Sequence, residues 1–118
     1  MGKQLFINNG SSTLAGTLAI AATTLTVAAS AGDNFPVVDG GDADEFCLIT
    51  IEDTAGNIEI VKCTSRVGGA DVMTIVRAQE GTSDQAFVAG DRVELRVTKG
   101  TLEAFVLRDN DVIHGGVF

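Results

Sequence analysis

Four acids, Asp39, Asp42, Asp44 and Glu45, form the densest group of potential metal-ligating oxygens in the chain. Calcium takes roughly six to eight oxygen ligands. The spacing here follows neither the helix–loop–helix calcium pattern nor the glycine–aspartate repeat of calcium β-rolls. With Gly40-Gly41 among them, these acids read as a solvated loop. Paired carboxylates hydrolyse glycosidic bonds when held about 5–10 Å apart in a cleft. The chain has no Trp and no Tyr to stack a sugar, and its Phe residues read as core. His114, the single histidine, lies in an apolar tail with no nucleophile partner, and no Ser sits in a Gly-x-Ser-x-Gly elbow. Gly68-Gly69 is too short, and too acidic in context, for a phosphate loop. No catalytic, cofactor-binding or metal-binding set emerges, and the expectation is a protein that is not an enzyme and needs no cofactor.

Cys47 and Cys63 are too few for a disulfide framework or a tetrahedral metal site. Their placement still carries information. A five-residue turn centred on Ala55 would set Cys47 opposite Cys63 and Ile49 opposite Val61 across a hairpin, whereas a four-residue turn would shift the register and separate the thiols. The expected state is two reduced thiols packed as small hydrophobes.

The elements that would position these residues are strands. One domain is expected from 118 residues. Val, Ile and Thr suit pleated half-buried surfaces, and frequent Gly and Asp mark turns. Residues 13–31 are low in complexity. Leu14, Leu18 and Ile20 share one parity and Leu25 and Val27 the other, which predicts a bend or two strands rather than a helix. Ala31-Gly32-Asp33-Asn34 is a turn, and Phe35-Pro36 sets an extended start for Val37-Val38. Phe46–Glu52 and Ile58–Arg66 form the best hairpin, joined by Asp53–Asn57, and Gly68–Asp71 turns into Val72–Arg77. From Arg92 to Thr98 the chain alternates strictly, with Val93, Leu95 and Val97 on one face. After Gly100 the period changes: Leu102, Phe105 and Val106 predict a short helix over Thr101–Leu107, with Thr101 as N-cap. The fold class is therefore all-β, an antiparallel barrel or sandwich with one short C-terminal helix and extended terminal arms.

Charge narrows the partners. The net charge is −8, concentrated in residues 1–65, which hold eight acids and two bases. That balance disfavours nucleic acid, which needs clustered Lys and Arg. Arg66, Arg77, Arg92, Arg96 and Arg108 read instead as partners of Asp and Glu on a solvated face or at a subunit boundary. Lys3, the run Leu14–Ala29 and Ala29-Ser30-Ala31 superficially resemble a secretory signal, but Asn8, Asn9, Ser11, Ser12 and the interspersed Thr residues argue against one. The same run is too polar to span a bilayer, so no membrane partner is expected.

The most specific stretch is Val76-Arg77-Ala78-Gln79-Glu80-Gly81-Thr82, followed by Ala89-Gly90-Asp91-Arg92-Val93-Glu94-Leu95-Arg96. It reads as a strand leaving its sheet at a polar knuckle, crossing a short connection, turning at Gly90-Asp91 and re-entering. The pattern resembles that of a small β-domain family found among structural proteins of tailed-bacteriophage virions, both free-standing and at the ends of tail or fibre proteins. The resemblance covers about residues 23–107, from Thr23–Val27 and Gly32–Pro36 through Glu45-Phe46 and Ile58–Val61 to Thr101–Phe105. Ala78 is a departure, because the family often has Gly there. The resemblance implies a virion protein assembled in the host bacterial cytoplasm. A capsid decoration, or cement, protein on the outer head surface is the first reading, with the major capsid protein or other virion proteins as partners. A tail, adaptor or fibre-anchoring component is the alternative.

The chain divides into an N-terminal arm (1–12), a β-domain (13–107) and a C-terminal tail (108–118). Leu5-Phe6-Ile7 and Val117-Phe118 are apolar tips beyond polar joints, expected to contact other subunits rather than their own core; an edge strand closing its own domain is the competing reading for the first tip. Together with Arg77 and Glu80 of the knuckle, these are the candidate interaction residues. Self-association is expected, with a homotrimer leading by analogy with decoration proteins on local threefold points.

Overall fold

The computed structural model describes residues 3–5, 10–42 and 44–96. It is all-β. The described strands are β1 Lys3–Gln4, β2 Ser11–Thr13, β3 Thr24–Thr26, β4 Glu45–Glu52, β5 Ile58–Ser65, β6 Val72–Gln79 and β7 Arg92–Glu94, with a 3-10 turn at Gly32–Asn34. Their order across the sheet is β2-β7-β4-β5-β6-β3. All neighbours on this path are antiparallel, and β1 alone pairs in parallel, with the start of β4.

The sheet curls until its two outer strands meet. Leu14, just after β2, bridges Val27, just after β3. Two backbone hydrogen bonds make that seam: Ala15 N–H donates to Thr26 O at 3.0 Å, and Ala28 N–H donates to Thr13 O at 2.9 Å. Curling also has a local cause, since the β5–β6 register slips twice, between Ile60 and Lys62 and between Cys63 and Ser65. An extra residue on one strand bends it and increases its twist. The seam pairs backbone groups at the ends of β2 and β3 that would otherwise be left open.

The hairpin register is the expected one: Cys47 faces Cys63 and Ile49 faces Val61. The Asp53 side chain holds the turn, accepting from the Ala55 and Asn57 N–H groups at 2.9 and 2.8 Å and from the Asn57 amide at 2.9 Å. Gly56 takes φ +87°, which a side chain would strain. Alternation then fills the interior with Cys47, Ile49, Ile51, Val61, Met73, Ile75 and Val93.

Within residues 13–31 the chain bends rather than forming a helix: Thr13 ends β2, Leu14 and Leu18 make isolated bridges, Ala21 turns at φ +67° and Thr24–Thr26 is β3, with Leu14, Leu18, Leu25 and Val27 buried. Ile20 departs from its parity group and is 61% exposed, because Ala21 at φ +67° turns the chain beside it. The ladder of β7 stops at Glu94, short of the expected Thr98, although the Leu95 N–H still donates to Gly10 O at 2.8 Å. The expected helix at Thr101–Leu107, and Val97 and Thr98, lie outside the described residues. Lys3–Gln4 pair with β4, the Leu5 N–H donates to Phe46 O at 2.8 Å, and Ser11–Ser12 belong to β2. These parts of residues 1–12 are seated on the chain's own sheet, because the edge of β4 ahead of β7 offers free backbone groups there.

Candidate functional site

The knuckle after β6 is the most densely specified part of the molecule. Glu59 shares the inward face of β5 with Val61 and Cys63, opposite Ile51, and is 0% exposed. A lone buried carboxylate would be costly, but Arg77 meets it as a fork, Nε to Oε2 at 2.8 Å and a terminal nitrogen to Oε1 at 2.7 Å. The Ala78 N–H adds a donor to Oε2 at 3.0 Å and the Gln85 N–H one to Oε1 at 3.1 Å. Arg77 sends its other donors to the carbonyls of Ala19, Ala22 and Gln85 at 2.7, 3.3 and 2.7 Å. Burial pushes the Glu59 pKa up, yet Arg77 and the Ala78 and Gln85 amides together outweigh it and hold it below the ordinary value. The same hydrogen bond to Glu59 raises the pKa of Arg77 against the opposing effect of burial.

Around this pair the backbone folds back on itself. Ala78 takes φ +56°, Glu80 φ +53° and Gly81 φ +81°. The Thr82 hydroxyl closes the loop by donating to Gln79 O at 2.6 Å and accepting from the Ile60 N–H at 3.1 Å. Further along, the Asp91 carboxylate accepts from the Val88 N–H at 2.9 Å beside Gly90 at φ +93°, which sets the turn back into β7. The left-handed conformation of Ala78 shows why glycine suits that position.

A second buried arginine organises the opposite side. Arg66 is 2% exposed and donates to the carbonyls of Phe35 at 2.7 Å, Pro36 at 3.0 Å, Val67 at 3.2 Å and Ala70 at 2.8 Å. Its remaining donor reaches Asp33 at 3.1 Å, an exposed carboxylate whose pKa is lowered by the Gly69 N–H and by Arg66 itself. Gly32 packs so closely beneath that a Cβ there would lie 1.8 Å from Ala70 O. A third arginine, Arg96, is half-buried and bonds Glu52 and Glu94 at 2.6 Å each.

The expectation that the arginines pair with acids holds for Arg66, Arg77, Arg92 and Arg96, although Arg66 and Arg77 are interior rather than on a solvated face, and Arg108 lies outside the described residues. Buried Glu59 and Arg66 were missed. The hairpin register carried the signal for Glu59, because the pairing that sets Ile49 against Val61 also sets Ile51 against Glu59.

Of the candidate interaction residues, Arg77 is engaged inside the knuckle, Glu80 is exposed on it, and Leu5 packs half-buried against the core. Leu5 lies by the start of β4 and the Arg77–Glu59 pair by the opposite end of the β4–β5 hairpin, so they do not form one site. Phe6, Ile7, Val117 and Phe118 lie outside the described residues. In the acidic loop, Asp39 accepts from the Gly41 N–H, Asp42 from the Asp44 N–H and Glu45 from the Asp39 N–H, at 2.9, 2.9 and 3.1 Å. Among the described residues no three His, Cys, Asp or Glu side chains converge on a metal position. Among them, too, no helix is long and apolar enough to cross a membrane.

No protein-family model matches the chain, and no curated protein matches it.

Proposed function

We propose that this protein is a non-enzymatic structural subunit of a tailed-bacteriophage virion, a decoration protein that binds the outer head surface and stabilises it. The observation that carries the reading is the pattern from Val76 to Arg96, and the way the fold uses it. Arg77, Thr82, Gly90 and Asp91 are all committed to internal hydrogen bonds or turn geometry. A motif used in this way marks an architecture rather than a reaction centre. The closed, bonded β-domain leaves its surface for contacts, and capsid assembly repeats each weak contact many times.

The test is the copy number of the protein in purified virions of the phage that encodes it, measured by quantitative mass spectrometry. Abundance near that of the major capsid protein is expected. A handful of copies per particle would move the protein to the tail or neck, as an adaptor or fibre-anchoring component. Absence from the particle would overturn both placements.

A further inference from the structure

Cys47 and Cys63 are a pair of reactive side chains whose chemistry the proposed function does not use. Both are free and 0% exposed, and they stand directly opposite each other on β4 and β5. The Cys63 thiol donates to Ser65 O at 3.6 Å. We propose that this pair is an oxidation site that closes into an intrachain cross-strand disulfide, with a peroxide as the two-electron oxidant.

Directly opposed residues of an antiparallel pair have Cα atoms about 4.5–5.5 Å apart. A disulfide accepts separations of about 4.4–6.8 Å, so closure asks for no rearrangement of the strands. The two sulfurs are not equivalent. Apposition to Cys47 lowers the pKa of Cys63, while apposition to Cys63 and burial raise that of Cys47. The buried Arg66 guanidinium favours the anion at both. Cys63 stands beside the register slip between β5 and β6, where local opening exposes it first, and is the attacking thiolate in this scheme. It displaces hydroxide from the peroxide and becomes a sulfenic acid; the hydroxide takes up the proton that Cys63 released and leaves as water. Cys47 sulfur then attacks the Cys63 sulfur, the S–O bond breaks, and the leaving hydroxide combines with the Cys47 proton as a second water. Two thiols and one hydrogen peroxide thus give one disulfide and two waters.

Access comes from the irregular β5–β6 ladder beside the pair. On the far side of β5 the register slips between Cys63 and Ser65. Local opening at such places admits a small oxidant without global unfolding. The inference does not rest on the virion reading and holds for the isolated chain.

The experiment treats the purified full-length protein with hydrogen peroxide under native conditions and follows its intact mass, free thiols and Tm. The expected result is loss of two hydrogen atoms and of both free thiols, a peptide map joining the Cys47 and Cys63 peptides, and a Tm higher by about 5 °C or more. A reducing phosphine should reverse all three. Cys47→Ser should instead keep one added oxygen on Cys63, trappable by dimedone. Should that variant not fold, the wild-type peptide map decides alone. Stable addition of oxygen to the wild type without hydrogen loss, disulfide-linked dimers, or folded thiols that stay inert while the urea-unfolded chain reacts would each overturn the proposal.

Discussion

At the scale of single residues, stability rests on charges that the interior has taken in. Removing one member of a buried ion pair strands the other, which typically costs about 3–5 kcal/mol. Arg77→Met should therefore lower the unfolding free energy by about that amount, and Glu59→Leu with Arg77→Met together by clearly less than the single change, as read from urea denaturation. The pair also imposes a pH dependence. The folded pKa of Glu59 lies below its ordinary 4.5, so its contribution is present above that value and is lost as pH falls through the lowered folded pKa. Arg77→Met removes this dependence, so its stability deficit against the wild type should narrow as pH falls through the lowered Glu59 pKa, read from urea denaturation at a series of pH values. Backbone geometry makes a sharper contrast. Gly32→Ala would push a methyl into Ala70 O, which Arg66 uses, and should cost about 1–3 kcal/mol or more. Ala78→Gly, at φ +56°, should be neutral or stabilising by up to about 1 kcal/mol, measured the same way.

At the scale of elements, the β4–β5 hairpin and the knuckle behave differently. The hairpin is local: its register follows from its alternation and from a turn that Asp53 caps three times. Asp53→Ala should destabilise by about 1–2 kcal/mol without changing the register, which amide exchange or cross-strand NOEs at Cys47 and Cys63 would report. The knuckle is not local. Arg77 joins β5, the loop at Ala19–Ala22 and the segment at Gln85, so its loss should loosen all three together, seen as faster hydrogen exchange at the Ala78 and Gln85 amides. The parity of residues 13–31 predicted a bend or two strands, and the bend is there, but it placed Ile20 inside with Leu14 and Leu18. The turn at Ala21 reversed that, and the signal was absent because alanine rarely takes positive φ.

At the scale of the whole molecule, the seam between Leu14 and Val27 draws the ends of the curled sheet together, and the described core runs from Leu14 to Val93. Deleting Val112–Phe118 should accordingly leave the domain folded by circular dichroism while weakening its incorporation into particles. An unfolded product would make the tail part of the core, and normal incorporation would remove its docking role. Sedimentation of the intact protein as a trimer would agree with the assembly proposed for it, whereas a monomer at every concentration would confine association to the particle surface.

The sequence by itself determined the all-β class, the hairpin and its register, the turns at Asp53–Asn57 and Gly90-Asp91, and the facing cysteines. These are short-range properties, set by a period of two and by residues that tolerate tight backbone turns. It also contained, in that register, an acid on the inward face at Glu59. Only the tertiary structure decided which charges go inside and what meets them there. Arg77 finds Ala19 across 58 positions and Arg66 finds Phe35 across 31, and burial of a guanidinium is tolerable only once every donor has an acceptor. Curling and closure were equally out of reach, because the seam joins strands at the two ends of the sheet order that no local pattern relates. A period-two pattern says which side of a strand is buried; the meeting of distant strands says what it is buried against.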